Sequence, residues 1–208
     1  RDVAFKPADP TVVYACTDHF YRSTNGGSTF NPITLGLPVA SDVNRMCIGV
    51  TAADPAMVYV LAGREDDAGY QGLYRSTNGG TSFSLRSDSP NLFGYYENGT
   101  DAGGQSWYDM AIAVSPTNAQ QVHVGGINVW RSGDGGLTWD VKSHWSYPSI
   151  FGYTHADIHH LGIVGNRLYV GSDGGIFRST TAGDSWTDLS AGLNITQFYR
   201  LGGSPDDA

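Results

Sequence analysis

One eight-residue segment recurs four times along the chain, and this repeat constrains the fold more than any other feature. The copies read STNGGSTF (23–30), STNGGTSF (76–83), SGDGGLTW (132–139) and STTAGDSW (179–186), and each follows an aromatic residue and an arginine. Adjacent glycines beside hydroxyl and amide side chains are typical of a tight turn between two strands. A turn that returns about every 50 residues indicates an array of similar structural units.

A second segment recurs upstream of this glycine turn and completes the unit. The stretches VAFKPADPTVVYA (3–15), IGVTAADPAMVYV (48–60) and IAVSPTNAQQVHV (112–124) align without gaps, and GNRLYVG (165–171) is a shortened copy. Each unit therefore reads as strand, turn, strand, connection, strand, glycine turn, strand. The sequence predicts an all-β fold, a β-propeller of four-stranded antiparallel blades at about residues 1–37, 41–88, 106–143 and 153–190.

Every position of the glycine turn has a predicted role in folding. An Asp or Asn at the third position can accept hydrogen bonds from amides of its own turn, and the glycines adopt positive φ. The closing Trp or Phe is expected to pack under the turn, and Thr181 predicts that the fourth turn is the loosest. The predicted structural residues are Ser23, Asn25, Gly27, Phe30, Ser76, Asn78, Gly80, Phe83, Ser132, Asp134, Gly136, Trp139, Ser179, Gly183 and Trp186.

The turn pattern, Ser-x-Asp/Asn-x-Gly-x-x-Trp/Phe, resembles the Asp-box or BNR repeat over nearly the whole chain. That repeat occurs in sialidase-type propellers, in the sortilin-type domain, in xyloglucanase-like glycoside hydrolases and in secreted bacterial BNR-repeat surface proteins. The stretch from THADIHH (154–160) onward looks most like the last group. The resemblance implies a propeller and a secreted or cell-surface location in a bacterium. It does not imply one function, because such propellers include enzymes, receptors and assembly factors.

The blades counted here are fewer than the six to ten that this resemblance implies. Residues 195–205 look like the innermost strand of a further blade, and the first residue is an arginine. We therefore expect an excised piece of a longer protein, whose remaining blades are partners of these four.

Charge and composition narrow the possible partners. The 208 residues carry a net charge of −8, which argues against nucleic acid as a partner. The chain has no run of 18 apolar residues, so we expect no membrane insertion. Cys16 and Cys47 are either two buried thiols or a single bridge.

Three loops are predicted on the face opposite the glycine turns, which we call the top face. Strand direction alternates within a blade, so residues 62–72, 87–109 and 143–157 share this face. The aromatic residues of these loops either cover the seams between blades or form a platform for sugar rings. The predicted ligand-binding residues are Tyr95, Tyr96, Trp107, Tyr108, Trp145, Tyr147 and Tyr153.

The segment HADIHH (155–160) is the sharpest polar cluster. Strand alternation predicts His155, Asp157 and His159 on one face, with His160 packed on the other. Two imidazoles and a carboxylate suit Zn²⁺ or another divalent metal. Apart from such a metal, we expect no cofactor. The alternative is a hydrogen-bonded cluster that ties the strand to its neighbours, and Asp109 could join either from the third blade.

Three functions fit these patterns. The repeats lack a catalytic signature, which favours a noncatalytic module that binds glycan or protein on the top face. The alternatives are a xyloglucanase-like glycoside hydrolase and a sortilin-like peptide-binding receptor domain. A hydrolase needs two carboxyl groups in one cleft. No motif fixes such a pair among the candidates Asp66, Asp67, Asp109 and Asp157. A pair at that spacing beside Trp107 and Trp145 would favour the enzyme.

Overall fold

A computed structural model describes residues 2–193 and shows an all-β protein of four antiparallel four-stranded sheets. Strand order within each sheet follows the chain. This confirms the predicted β-propeller of four-stranded antiparallel blades, of which the structure describes four. The suggested strand at 195–205 lies outside the described residues.

The strands of blade 1 are β1 (Asp2–Lys6), β2 (Asp9–Cys16), β3 (Phe20–Ser23) and β4 (Asn31–Ile33). Blade 2 contains β5 (Val43–Val50), β6 (Val58–Arg64), β7 (Tyr70–Ser76) and β8 (Ser84–Ser87). Blade 3 contains β9 (Ala111–Val114), β10 (Val122–Gly125), β11 (Val129–Ser132) and β12 (Asp140–Ser143). Blade 4 contains β13 (Ile158–Val164), β14 (Arg167–Ser172), β15 (Gly175–Ser179) and β16 (Thr187–Asp188), and a short helix, α1 (Pro148–Phe151), precedes it. A 3₁₀ turn spans Ala40–Asp42.

The first strand of each blade is the innermost one. β1 contacts β5, β5 contacts β9, and β9 contacts β13, so the blades stand side by side about one axis. A cavity of about 320 Å³ on this axis is lined by residues from all four blades, including Pro7, Ile48, Ile112 and Leu161. Within the described part of the chain, no helix has the length and hydropathy to cross a membrane.

The hydrophobic core is divided into three clusters, one in each seam between consecutive blades. Tyr14 and Phe20 of blade 1 pack with Ile48 and Phe83 of blade 2 in the first cluster. The strand β6 is buried over residues 58–63 because a blade covers each of its faces. Apolar side chains on both faces of a central strand are therefore what holds neighbouring blades together.

The glycine turns form the predicted hydrogen bonds. In the second turn, the Ser76 Oγ accepts from the amides of Asn78 and Gly80 at 3.2 and 2.9 Å and donates to Asn78 Oδ1. Asn78 Oδ1 in turn accepts from two amides further along the turn. Gly79 and Gly80 have φ of 69° and 77°, where a β-carbon is disfavoured. The local chemistry of the repeat is thus confirmed.

The fourth turn keeps part of this bonding. Thr181 Oγ1 accepts from the amide of Ser185 at 2.9 Å, and Ser179 Oγ still accepts from Gly183. In the third turn, by contrast, Asp134 Oδ1 accepts from the amides of two residues. The Thr181 hydroxyl therefore accepts one hydrogen bond from a backbone amide, where the Asp134 carboxylate oxygen accepts two.

The closing aromatic residues have a second role, which is to contact the preceding blade. Phe83 packs edge-on against Phe20 of the preceding blade, with ring centroids 4.9 Å apart. Trp139 and Trp186 likewise donate from Nε1 to Ser87 Oγ and the Lys142 carbonyl of the blades before them, both at 2.9 Å. These residues therefore join blades, while the rings of Phe30 and Trp186 also lie close to Gly27 and Gly183 of their own turns.

Cys16 and Cys47 are free, buried thiols in neighbouring blades. Burial raises the pKa of the Cys47 thiol to about 11, so the thiol stays protonated at neutral pH.

We expect Ser76→Ala to lower the free energy of unfolding by about 1–3 kcal/mol, because the buried amide of Gly80 loses its acceptor. Ser82→Ala is the matched control, since the Ser82 hydroxyl only accepts from the exposed Asn78 amide group. It should change stability by less than about 0.5 kcal/mol. Urea unfolding followed by tryptophan fluorescence measures both, and equal effects would show that the serine does not hold the turn.

Candidate functional site

The long loops meet on the top face as predicted. The amides of Gly104 and Ser106 donate to the carbonyls of Asp67 and Ala68 at 2.9 and 3.0 Å. These bonds join the β6–β7 loop to the connection between blades 2 and 3. Loops 62–72 and 87–109 therefore form one continuous surface.

Two of the four candidate carboxylates come together at the start of neighbouring innermost strands. Asp109 lies just before β9, and Asp157 lies just before β13. The Gln105 amide donates from Nε2 to Asp109 Oδ2 at 3.0 Å and to Asp157 Oδ1 at 2.5 Å. Asp109 Oδ2 and Asp157 Oδ1 both contact Gln105 Nε2. The distance between these two oxygens therefore cannot exceed the two hydrogen-bond lengths added together.

The environments of the two carboxylates differ. Asp109 is fully buried, and its Oδ1 is without a hydrogen-bond partner among the described residues. Burial is the largest cause that raises the pKa of Asp109 to about 7; the nearby Asp157 carboxylate also raises it, whereas the hydrogen bond from Gln105 lowers it. Asp157 is only half-buried. The pair thus contains a carboxyl group that exchanges its proton near neutral pH and a partner closer to solvent.

A second polar group surrounds Asp173 in the β14–β15 hairpin. Tyr108 donates from its hydroxyl to Asp173 Oδ2 at 2.9 Å, and His159 Nε2 lies 2.7 Å from Asp173 Oδ1. The rings of Tyr108 and His159 meet edge to face, with centroids 4.9 Å apart. Asp173 is therefore both a turn residue and a top-face carboxylate that links blade 3 to blade 4.

The predicted metal ligands do not converge. Asp157 lies before the strand with φ of 64°, and the pairing of β13 with β14 is irregular between Ile158 and His160. Strand alternation therefore fails at these positions, and His160 is exposed instead of packed. His155 Nδ1 contacts the Ala156 carbonyl, while His159 binds Asp173. Among residues 2–193, no group of three or more His, Cys, Asp or Glu side chains is placed to share a metal ion.

The remaining candidate acids, Asp66 and Asp67, pair with an arginine. Arg64 Nε lies 2.9 Å from Asp67 Oδ1 and 3.7 Å from Asp66 Oδ1, on an exposed part of the β6–β7 loop. These carboxylates help to shape the loop, and the bridging amide of Gln105 contacts neither of them in the structure.

The predicted aromatic residues lie on the surface, with Trp107 66% and Trp145 44% exposed. Tyr95 and Trp145, from different loops, meet edge to face at a centroid distance of 6.4 Å. Trp107 packs on Tyr108 with ring centroids 5.5 Å apart. Phe93, from the same loop, is instead buried against Tyr70. The exposed set is Tyr95, Tyr96, Trp107, Tyr108, Trp145, Tyr147 and Tyr153.

The sequence analysis missed a polar cavity of about 420 Å³ between blades 1 and 2. Its lining includes Thr17, Asp18, Asn44, Arg45 and Glu65. Hydrogen bonds from Thr17 and His19 lower the pKa of Asp18 to about 2, so its carboxylate is ionised. Alignment of the blades could have found this site, because Asp18 and Glu65 both follow the second strand of their blade.

Arg45 connects this cavity to the third blade. Its Nη1 donates to the Tyr108 carbonyl at 3.3 Å. The polar cavity, the Asp173 group and the exposed Trp107 are therefore parts of one surface.

No family model matches the chain. A xyloglucanase from Paenibacillus sp. is 25% identical over 99% of the chain, which spans 23% of that enzyme's length. The GH74 xyloglucanase structure from Xanthomonas campestris superposes with a TM-score of 0.65 at 24% identity, over 91% of this chain and 30% of the other. YCF48 from Cyanidioschyzon merolae gives a TM-score of 0.57 at 14% identity, and the match covers 90% of this chain and 55% of YCF48. The chain is thus a β-propeller that is similar to xyloglucanases, and it spans about a quarter of the length of the Paenibacillus enzyme.

Asp109→Asn tests the raised pKa of the buried carboxyl. A folded-state pKa of about 7 against an ordinary value of 3.8 means that the wild type loses stability as the pH rises from about 4 to 7. The variant should match the wild type at pH 4 and exceed its free energy of unfolding at pH 8, by up to about 4 kcal/mol. The exposed control Asp66→Asn should show no such divergence. Urea unfolding at both pH values gives the comparison, and parallel curves for Asp109→Asn would refute the shift.

Proposed function

We propose that the top face binds a polysaccharide of the xyloglucan type and that these blades are a carbohydrate-binding part of a larger propeller. This proposal rests mainly on one observation: Trp107 and Trp145 are exposed on a continuous surface that also contains ionisable and amide side chains. Sugar rings offer apolar C–H faces to aromatic side chains and hydroxyls to polar ones, so this combination suits them.

The aromatic side chains support binding because so much of their apolar surface faces solvent. Trp107 and Trp145 are large side chains at 66% and 44% exposure, although the seams nearby bury many smaller ones. Exposed apolar patches rimmed by polar groups typically mark interaction sites. The alternative was that the aromatic residues of these loops cover the seams between blades. Burial of this kind is seen for Phe93, whereas Trp107 and Trp145 are exposed.

The polar groups favour an uncharged ligand. Asp18, Glu65 and Asp173 supply acceptor oxygens, and Arg45 supplies donors, on a protein with a net charge of −8. An acidic face repels polyanions, whereas hydroxyl groups can donate to carboxylates and accept from a guanidinium. A neutral polysaccharide therefore fits this face better than an anionic glycan or nucleic acid.

A glycoside hydrolase is the second candidate, favoured by the Asp109–Asp157 pair. The two hydrogen bonds from Gln105 set an upper limit on the separation of the bound carboxylate oxygens, and this limit is compatible with the carboxyl spacing of about 5–5.5 Å of retaining enzymes. A carboxyl group with a pKa of about 7 suits a general acid. However, Asp109 is fully buried, so substrate would reach it only after the surrounding loop moves.

The similarity to the Paenibacillus xyloglucanase extends over almost the whole chain and supports a carbohydrate ligand. Because these blades span only 23% of that enzyme, its activity does not transfer to them directly. We therefore place binding first and catalysis second. No contact among the described residues favours the sortilin-like peptide receptor, which stays a prediction.

Trp107→Ala and Trp145→Ala should each weaken binding to xyloglucan about tenfold, which corresponds to roughly 1.4 kcal/mol of lost stacking. Leu137→Ala is the control, because Leu137 is exposed on a glycine turn at the opposite face. Calorimetric titration with xyloglucan oligosaccharides measures the affinities. Equal affinity for all three variants, or no binding by the wild type, would contradict the proposal.

Reducing-sugar release from xyloglucan separates the two candidates. We expect binding without release. Release that is lost in Asp157→Asn, while Asp66→Asn keeps it, would establish the hydrolase instead, because Asp157, unlike Asp66, contacts the bridging amide of Gln105.

A further inference from the structure

A buried histidine lies at the centre of the loop between blades 3 and 4. His144 is 2% exposed, and its backbone amide donates to the Gly152 carbonyl at 3.1 Å, which closes the loop on itself. The rings of Tyr147 and Phe151 lie against the imidazole, at centroid distances of 4.7 and 6.2 Å. The backbone and the side chain of His144 therefore both hold this loop together.

The imidazole also reaches a second loop. His144 Nε2 donates to the carbonyl of Tyr95 at 2.9 Å, and Tyr95 lies in the connection between blades 2 and 3. Because a carbonyl can only accept, Nε2 carries the proton, and Nδ1 accepts from the Ser146 amide at 3.2 Å. One neutral imidazole thus holds its own loop with one nitrogen and the other loop with the second.

Asn128 of the β10–β11 hairpin supports the same carbonyl. Its Nδ2 donates to the Tyr95 carbonyl at 3.2 Å, and Asn128 is fully buried. A carbonyl that accepts from two buried donors is held more firmly than the backbone of an exposed loop usually is. The backbone of Tyr95 is therefore fixed from blade 3, although the residue is 55% exposed.

The residues that His144 joins are aromatic and exposed. Trp145 follows His144 directly and meets Tyr95 edge to face across the two loops, with ring centroids 6.4 Å apart. Tyr147 lies on the imidazole and is 48% exposed. We call Tyr95, Trp145 and Tyr147 the Trp145 platform.

The Trp145 platform is separate from the aromatic residues around Trp107. Trp107 packs on Tyr108, and Tyr108 meets the ring of His159. In the part of the chain that the structure describes, no ring contact links these three residues to the Trp145 platform. The top face therefore contains two aromatic groups, and His144 contacts one of them.

We propose that His144 is the positioning residue of a separate sugar-binding subsite formed by the Trp145 platform. This inference rests on the proposed function, which assigns polysaccharide binding to the same face. Stacking on a sugar ring requires aromatic rings at a fixed spacing and tilt, and here the rings belong to different loops. The hydrogen bond from Nε2 gives the two loops a common geometry. His144 acts through these rings, because it is itself buried.

Calorimetric titration with xyloglucan oligosaccharides tests this role. His144→Leu removes the bond between the loops and should weaken binding about fivefold. His144→Gln is the rescue variant, because an amide nitrogen replaces Nε2 as the donor, and it should bind within about twofold of the wild type. His155→Leu is the matched control, since His155 lies in the same loop and contacts the carbonyl of the adjacent Ala156. Wild-type affinity in His144→Leu, or a loss that His144→Gln does not restore, overturns the proposal.

A double-mutant cycle identifies the aromatic group through which His144 acts. His144→Leu should add little to the effect of Trp145→Ala, because both changes disable the same subsite. It should be additive with Trp107→Ala, which affects the other group. Full additivity with Trp145→Ala would show that His144 does not act through the Trp145 platform and would overturn the proposal.

The position of Trp145 can also be followed without ligand. The five tryptophans each give an indole N–H signal in the NMR spectrum of the isotope-labelled protein, and Trp145→Phe identifies the signal of Trp145. His144→Leu should shift or broaden that signal and leave those of Trp139 and Trp186 in place, which also shows that the variant is folded.

This measurement separates the failure of the inference from the failure of the proposed function. An unchanged Trp145 signal in His144→Leu overturns the inference even where the wild type binds xyloglucan. A wild type that binds no xyloglucan overturns the proposed function and the subsite with it, whereas a shifted Trp145 signal would still support the hydrogen bond from His144 as the tie between the loops.

Discussion

The contact between a glycine turn and the preceding blade is the interaction on which the rest of the structure depends. A β-carbon on Gly80 would lie 2.9 Å from Tyr14 Cε1, and one on Gly136 would collide with Leu73 of blade 2. The second glycine is thus required twice, by its positive φ and by the close approach of the neighbouring blade. The adjacent Gly79 carbonyl accepts a hydrogen bond from Arg22 Nε of the preceding blade at 2.8 Å, which adds a polar contact to this seam. The repeated turn therefore encodes both the fold of one blade and its position on the next.

Because this packing occupies the bottom face and the seams, the top-face loops are free to carry polar and aromatic groups. The connections between blades 2 and 3 and between blades 3 and 4 are long. They bring Asp109 and Asp157 to the starts of adjacent innermost strands. A propeller places the first residues of all innermost strands around one axis, so acids far apart in the chain become neighbours. This is the physical basis for the ligand site that we propose on that face.

The sequence predicted much of this arrangement but not its details. The turn residues from Ser76 to Gly80 behave as their chemistry implies, because a turn is a local structure. The packing of Phe83 on Phe20 was not foreseen, since the partner lies in another blade. The face shared by His155, Asp157 and His159 was predicted wrongly, because alternation holds only within a regular strand and β13 begins at Ile158.

The sequence by itself determined the number of strands per blade, the turn geometry and the face that carries the long loops. These properties depend on local hydrogen bonding and on repeat spacing, both of which can be read along the chain. Only the tertiary structure decided that Gln105 bridges Asp109 and Asp157, that Phe93 is buried while Trp107 is exposed, and that Asp18 and Glu65 line one cavity. Those outcomes depend on how blades pack around the axis, which brings together residues that the chain separates.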